Sequence, residues 1–298
     1  MFQATKLVDD GYANIDQVLR DVKIGKVDLD RNQLVGVECY DDILERMGPE
    51  EVEKLGGIIR DTVRKLYPNA EVRIMGSYRR GKESCGDVDI HVTCPEHQKA
   101  VPDEALGKIV DTLWREEHIS FHLTFLPGME TGYKSEDYDK SCRYVPKEAW
   151  DTRKEKASQR GKAREGHSSS YMGVFKSPTA KHKRRRIDIK FYPYRERIFA
   201  SLYFTGNGYF NRSMRLWAAR KFNFTLNDHG LFERGTQDRV MEASHEKEVF
   251  DKLELVYMEP GDRDCFDAVV PKAGIQAAAD FKMSEKDLRE DNEHVWID

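Results

Sequence analysis

The chain lacks the features that mark several protein classes. No apolar run approaches the roughly 20 residues a membrane span requires. The first residues, Met1-Phe2-Gln3-Ala4, do not show the basic-then-apolar pattern of a secretory signal. Cysteine is scarce and odd in number, with five residues at 39, 85, 94, 142 and 265 and no CxxC pair. That argues against a structural zinc site or a disulfide framework and for a reducing interior. No internal repeat is present, and the net charge is only −4. What is there is 298 residues, 39% hydrophobic and 34% charged. This is enough chain for one large or two small domains with a core, and too charged for a membrane protein.

The small net charge hides an uneven distribution. Ser141 to Lys190 holds 15 Lys+Arg against 5 Asp+Glu, or +10, so the other 248 residues carry −14. From Pro271 to Asp298 there are 4 basic and 7 acidic side chains, which suggests a solvated acidic tail with a helix around Ser284 to Asp291. A polyanion needs a local positive surface, not a positive total.

Short helices are predicted at Phe2–Asp10, Ile15–Val22 and Tyr40–Met47. Pro49, Glu50 and Glu51 open a clear helix with Val52, Leu55, Ile59, Val63 and Leu66 at helical spacing, ended by Tyr67-Pro68. Glu71–Ile74 reads as a strand. Leu106, Ile109, Val110 and Leu113 mark a second amphipathic helix. Phe121–Phe125, Tyr171–Phe175 and Ile187–Tyr192 read as strands, and Asn211–Lys221 and Lys247–Leu255 as helices. Gly128–Ser170 has no sustained periodicity and reads as a long loop or insertion.

The densest chemistry lies in Gly76–Val92. Asp87-Val88-Asp89-Ile90-His91-Val92 alternates with period two, so both carboxylates share a strand face about 7 Å apart. A divalent cation offsets such like charges well, and Mg²⁺ is typically held by one or two carboxylates plus phosphate oxygens. Arg186-Ile187-Asp188-Ile189-Lys190-Phe191 repeats the alternation and offers a third carboxylate, Asp188. An Asp-x-Asp pair alone is more often a solvated strand face. Before the pair stands Gly76-Ser77-Tyr78-Arg79-Arg80-Gly81, whose hydroxyl, backbone N–H groups and Arg80 can cradle phosphate oxygens. Gly86 permits close backbone approach. Together these form the nucleotidyltransferase signature.

Gly76–Asp89, with its Arg-Arg-Gly, resembles the X-family DNA polymerases. So do Leu202–Arg215, with Tyr203-Phe204-Thr205-Gly206 and Phe210-Asn211-Arg212-Ser213-Met214-Arg215, and Arg185–Lys190. Asp10–Glu51 with Glu45-Arg46-Met47, and Tyr257-Met258-Glu259-Pro260 with Met258 where Arg is usual, also fit. The resemblance runs from about Ala4 to Phe266, interrupted at the insertion, and is closest to the beta and lambda members. It implies an α+β fold: a nucleotidyltransferase palm with a mixed sheet backed by the Val52–Leu66 and Leu106–Leu113 helices. The expected divisions are a partial helical DNA-binding subdomain (1–50), the palm (51–195, with the insertion at about 128–170), a nucleotide-selecting subdomain (196–270) and the tail (271–298).

The resemblance further implies that Asp87, Asp89 and Asp188 are catalytic and ligate two Mg²⁺ ions, for which Mn²⁺ can substitute. Ser77, Arg80 and Gly86 would hold the triphosphate, with Arg46 a more distant helper. Tyr203, Phe204 and Gly206 would form the sugar pocket, and Asn211 would meet the incoming base. Arg186, Lys190, Arg212 and Arg215 would contact DNA. The bland readings stay open: Tyr203 and Phe204 as core aromatics, Arg212 and Arg215 as a solvated face. Lys181–Arg186 can be a nuclear-import signal as well as a DNA contact.

The implied activity is DNA-directed DNA synthesis on primer-template with dNTPs, in nuclear gap filling or end joining (base excision or double-strand break repair). A monomer is expected, with end-joining proteins as further partners and no membrane. Rival readings are a template-independent nucleotidyltransferase and a non-catalytic DNA-end scaffold. Three departures stand out. The chain begins too late for the family's lyase domain, and Ala4–Val18 resembles the second helix of an incomplete helix-hairpin-helix, so no lyase activity and weak grip on gapped DNA are expected. Gly128–Ser170, rich in Lys and Arg between 153 and 164, is expected to contact DNA near the primer end or to be a plain surface insertion. Asp228 stands where the family commonly has Glu, which bears on closure of the subdomain.

Overall fold

The computed structural model describes residues 2–129, 169–179, 183–236, 238–265 and 268–272. Most of the insertion and the acidic tail, with the readings placed on them, lie outside these residues. In chain order the elements are α1 (Phe2–Asp9), α2 (Ile15–Lys23), α3 (Arg31–Glu38), α4 (Tyr40–Leu44), α5 (Pro49–Leu66), β1 (Glu71–Ile74), α6 (Gly76–Arg79), β2 (Val88–Thr93), α7 (Ala105–Arg115), β3 (Ile119–His122), β4 (Ser169–Lys176) and β5 (Arg184–Tyr192). There follow α8 (Arg197–Thr205), α9 (Gly208–Phe222), β6 (Phe224–Leu226), β7 (Leu231–Glu233) and α10 (Glu246–Lys252). No helix among the described residues is long and apolar enough to cross a membrane.

Contacts divide the chain into two units that do not follow chain order. The first takes its described residues from 2–46, 103–129, 171–179 and 183–186. Its core gathers Val18, Leu34, Val35, Phe121 and Val174. β3 and β4 pair antiparallel, with Phe121 opposite Val174 and His122 opposite Gly173. α7 buries Leu106, Ile109, Val110 and Leu113 completely, the face its spacing predicts, and packs with β3. The unforeseen α3 carries a reciprocal cap: the Gln33 N–H donates to Asp30 Oδ1 at 3.0 Å, and the Asp30 N–H to Gln33 Oε1 at 2.8 Å. The predicted Phe121–Phe125 strand starts earlier, at Ile119, and ends at His122.

The second unit holds residues 47–102, 169–170 and the described residues from 187 onward. α5 starts with Pro at its first turn and Glu50 and Glu51 behind it, which suits the positive end of the helix dipole. Val52, Leu55, Ile59 and Val63 are fully buried, each worth about 1.5–3 kcal/mol by leaving water. Leu66, at the helix end, is exposed instead. α5 packs on β1 and β2. β1 pairs antiparallel with β2, and β2 pairs parallel with β5, a mixed arrangement. The C-terminal part closes on its own core of Phe210, Met214, Trp217, Leu231, Val249 and Phe250, with α9 packed on the β6–β7 hairpin.

Candidate active site

Alternation along β5 places Ile187, Ile189 and Phe191 in the core at full burial, leaving Asp188 and Lys190 half-buried on the opposite face. β2 does the same with Val88, Ile90 and Val92 buried and Asp89 on the open side. The parallel register sets Val88 opposite Ile187, Asp89 opposite Asp188 and Ile90 opposite Ile189. Neighbouring strands lie about 4.8 Å apart, so these two carboxylates, 99 residues apart in sequence, become lateral neighbours. Asp87 lies in the bend one residue before β2. His91 shares Asp89's side of the alternation and packs its ring edge-on to Tyr192 at 5.4 Å. Burial pushes this imidazole down to about 3, so it stays neutral.

The Gly76–Arg80 turn fits over Asp89. Gly76 sits at φ +56°, and a Cβ there would stand 1.8 Å from Asp89 Oδ2, so both conformation and space require glycine. The Met75 N–H donates to the Asp89 carbonyl at 2.8 Å, and reciprocal Met47–Cys85 bonds of 2.8 and 2.9 Å tie down the following loop. Ser77 and Gly86 are half-buried along this stretch. Arg80 reaches the second sequence block: its Nη1 donates to the Thr205 carbonyl at 2.5 Å and stands 3.1 Å from where a Gly206 Cβ would be. Gly206 adopts φ +69° in this turn, again glycine's territory. Asn207 caps α9, its Oδ1 accepting from the Phe210 N–H at 3.0 Å.

Tyr203 and Phe204 are half-buried, and Lys190 Nζ lies 5.9 and 5.1 Å from their ring centroids. Asn211 Nδ2 donates to the Tyr203 carbonyl at 2.7 Å, so the aromatic pair and the base-side asparagine form one cluster. Arg212 lies 5.5 Å from the exposed Tyr209 ring. Arg215 is half-buried within α9. Arg46 and Arg186 belong to the first unit, where both are exposed.

Two groups of residues went unread in the sequence. Arg79, silent beside Arg80, donates to Glu246 Oε1 at 2.6 Å, and Arg263 Nη2 donates to Glu246 Oε2 at 2.7 Å. Arg263 is fully buried, with the Phe210, Phe250 and Tyr257 rings 5.3–5.7 Å away. Burial alone would push the Glu246 carboxyl up, but Arg263 and Arg79 outweigh it and hold it below the ordinary range. At the other end of α8, Tyr192 Oη donates to Asp228 Oδ2 at 2.7 Å, and His229 Nδ1 meets Glu196 Oε2 at 2.7 Å. Only the separation of Arg79 from Glu246 in sequence, 167 residues, conceals the first group.

Part of the basic run makes contacts within the first unit. Arg185 is 2% exposed; its Nη1 donates to the Asp42 and Glu45 carbonyls, both at 2.8 Å. The Arg184 backbone N–H donates to Asp42 and its guanidinium pairs with Glu38, while Lys183 pairs with Glu45. Lys183–Arg185 are therefore engaged internally, while Arg186 is exposed. The positive charge had a partner in the acidic α3–α4 segment of the same unit.

Among the described residues, no three His, Cys, Asp or Glu side chains converge closely enough to hold an ion unaided. The residues nevertheless fit a hard cation: an all-oxygen pair on one sheet face, cradled where glycine leaves room, suits an ion that completes its shell with phosphate oxygens and water.

A family model described as DNA polymerase beta palm matches residues 46–194, half of the chain. A second, DNA polymerase beta thumb, matches residues 200–264. The chain is 30% identical to DNA polymerase lambda of Rattus norvegicus over 269 residues, covering 87% of this chain and 40% of the rat protein. It is 30% identical to DNA polymerase lambda of Arabidopsis thaliana over 271 residues, 88% of this chain and 44% of that protein. DNA nucleotidylexotransferase of Monodelphis domestica is 25% identical over 262 residues, 85% of this chain and 48% of that one. The chain therefore spans less than half the length of these relatives. Palm and thumb matches in order, over the strands that bear Asp89 and Asp188 and the helices that follow, make this chain a member of the X family of DNA polymerases.

Proposed function

We propose that this chain catalyses template-directed transfer of a deoxynucleotidyl group from a dNTP to a primer 3′-hydroxyl, releasing pyrophosphate. The observation that carries the proposal is the Asp89–Asp188 register beneath the Gly76–Arg80 turn. Asp87, Asp89 and Asp188 would hold the divalent cations, with Mg²⁺ the ion their oxygen donors favour. Bound there, such ions neutralise phosphate charge and acidify the attacking hydroxyl. The hydroxyl oxygen forms the new bond to the α-phosphorus as its proton passes to water, and pyrophosphate leaves with the electron pair of the broken P–O bond.

Around that centre, Ser77, Arg80 and Gly86 bind the triphosphate, while Tyr203, Phe204 and Asn211 receive the sugar and base. The contact of Lys190 with both aromatic rings supports a role in holding that pocket, beside the DNA contact its strand position suggests. Arg212 and Arg215 meet the template side. Asp188→Ala should abolish extension of a primed template in Mg²⁺, while dTTP binding is partly retained because the phosphate grip lies elsewhere. Normal extension by that variant would overturn the assignment.

The similarity to a nucleotidylexotransferase supports a second reading, transfer without a template. Extension assays with and without template strand separate the two, and the Tyr203-Phe204 and Asn211 cluster favours the templated outcome.

A further inference from the structure

Arg80 and Lys82 share one acidic partner. Arg80 Nε lies 3.3 Å from Asp264 Oδ1, and Lys82 Nζ pairs with Asp264 Oδ2. One carboxylate thus bridges the two cations of the turn that is read as the phosphate grip. All three stand at a rim, with side chains 14%, 44% and 35% exposed for Arg80, Lys82 and Asp264. The Asp264 main chain is held independently of its carboxylate. Asn207 Nδ2 donates to the Asp264 carbonyl at 2.7 Å, and the Asn207 N–H to the Arg263 carbonyl at 3.0 Å. Arg263 is itself locked to Glu246.

We propose that the Asp264 carboxylate is an internal competitor for the anion-binding groups of Arg80 and Lys82, and thereby sets the affinity for nucleoside triphosphate. This rests on the reading of Arg80 as a phosphate-binding group. The carboxylate carries one negative charge and two acceptor oxygens, whereas a triphosphate brings several of each. The nucleotide therefore displaces Asp264, at the cost of breaking both ion pairs and tolerating a like charge nearby. Because the main chain stays clamped through Asn207, the side chain can turn out to solvent without unfolding the segment. The arrangement also offsets part of the charge of two nearby cations when no nucleotide is bound.

The test measures dTTP and thymidine binding to the full chain in the absence of primer, for wild type, Asp264→Asn, Asp264→Ser and Arg80→Gln. Both Asp264 variants should bind dTTP about fivefold tighter, the upper end for a part-exposed ion pair, with the gain shrinking at high salt. Thymidine, which has no phosphate, should show no change. Having two substitutions at 264, each checked by thermal melting, keeps the result readable if one folds poorly. Unchanged or weaker dTTP binding in the folded 264 variants, with binding weakened in Arg80→Gln, would overturn the proposal: the carboxylate would then be holding Arg80 in position. Unchanged dTTP binding in Arg80→Gln would instead overturn the underlying reading of Arg80.

Discussion

Two clusters of basic residues, each within a single unit, are treated in opposite ways. In the first unit, Lys183–Arg185 are drawn onto Glu38, Asp42 and Glu45 and onto backbone carbonyls, with Arg185 almost fully buried. In the second, adjacent residues divide the labour. Arg79 turns inward to Glu246, which Arg263 also engages, whereas Arg80 and Lys82 share a carboxylate at the rim. The difference lies in the acid: Glu246 is 7% exposed and Asp264 35%, although Arg79 is itself no more buried than Arg80. A cation removed from water must keep its partner, because losing it leaves an uncompensated charge in a low-dielectric interior. A pair whose acid reaches the rim can exchange one anion for another at smaller cost, since water reaches the carboxylate. Local charge density does not distinguish these cases; how far each pair as a whole is buried does.

Substitutions can break this comparison at three depths. Glu246→Ala should be the most damaging, since it strands Arg79 and Arg263, and a loss of about 3–5 kcal/mol is expected in urea unfolding. The same group predicts a pH dependence. Its folded carboxyl lies below the ordinary 4.5, so its contribution is present above that value and fades as pH falls through the lower folded one. Stability of the wild type should therefore drop more steeply than that of the variant on acidification below about 4.5, and parallel curves would contradict the ion-pair account. Arg185→Ala comes next, at about 2–3 kcal/mol, because two part-buried carbonyls lose a charged donor and a buried side chain is removed. Lys183→Ala, on the half-exposed margin of the same run, should barely move the melting temperature. If Lys183 and Arg185 proved equally costly, burial would not be the deciding variable.

Elements with one wet face could be read locally. α5 showed its start through Pro49, Glu50 and Glu51 and its buried face through spacing, and β1 was bounded as predicted. α8 escaped notice because Ile198, Phe199, Ala200, Ser201, Leu202 and Thr205 are all buried, which erases the period-3.6 contrast. α3 was missed although Asp30 and Gln33 stand three apart as a capping box; Gly36 and weak amphipathicity masked it. At the candidate site, alternation assigned Asp89 and Asp188 to open faces but could not supply their mutual register. Gly76 was legible as part of a motif, while its reason, the Asp89 carboxylate lying against its Cα, depends on a contact thirteen residues away.

The sequence by itself determined which side chains each short element would bury, because that choice depends on a repeat of two or of 3.6 residues and on nearby caps. It also carried the family, through motifs that occupy short continuous stretches. Tertiary structure alone decided which charges face each other: Asp89 with Asp188, Glu246 with Arg79 and Arg263, and Asp264 with Arg80 and Lys82. Those partners are 99 to 184 residues apart, except the Glu246–Arg263 pair at 17. A pairing over such a span follows from strand register and helix packing, which no local periodicity encodes. The −4 total conceals these same pairings, each basic cluster having met its acid only after the chain folded.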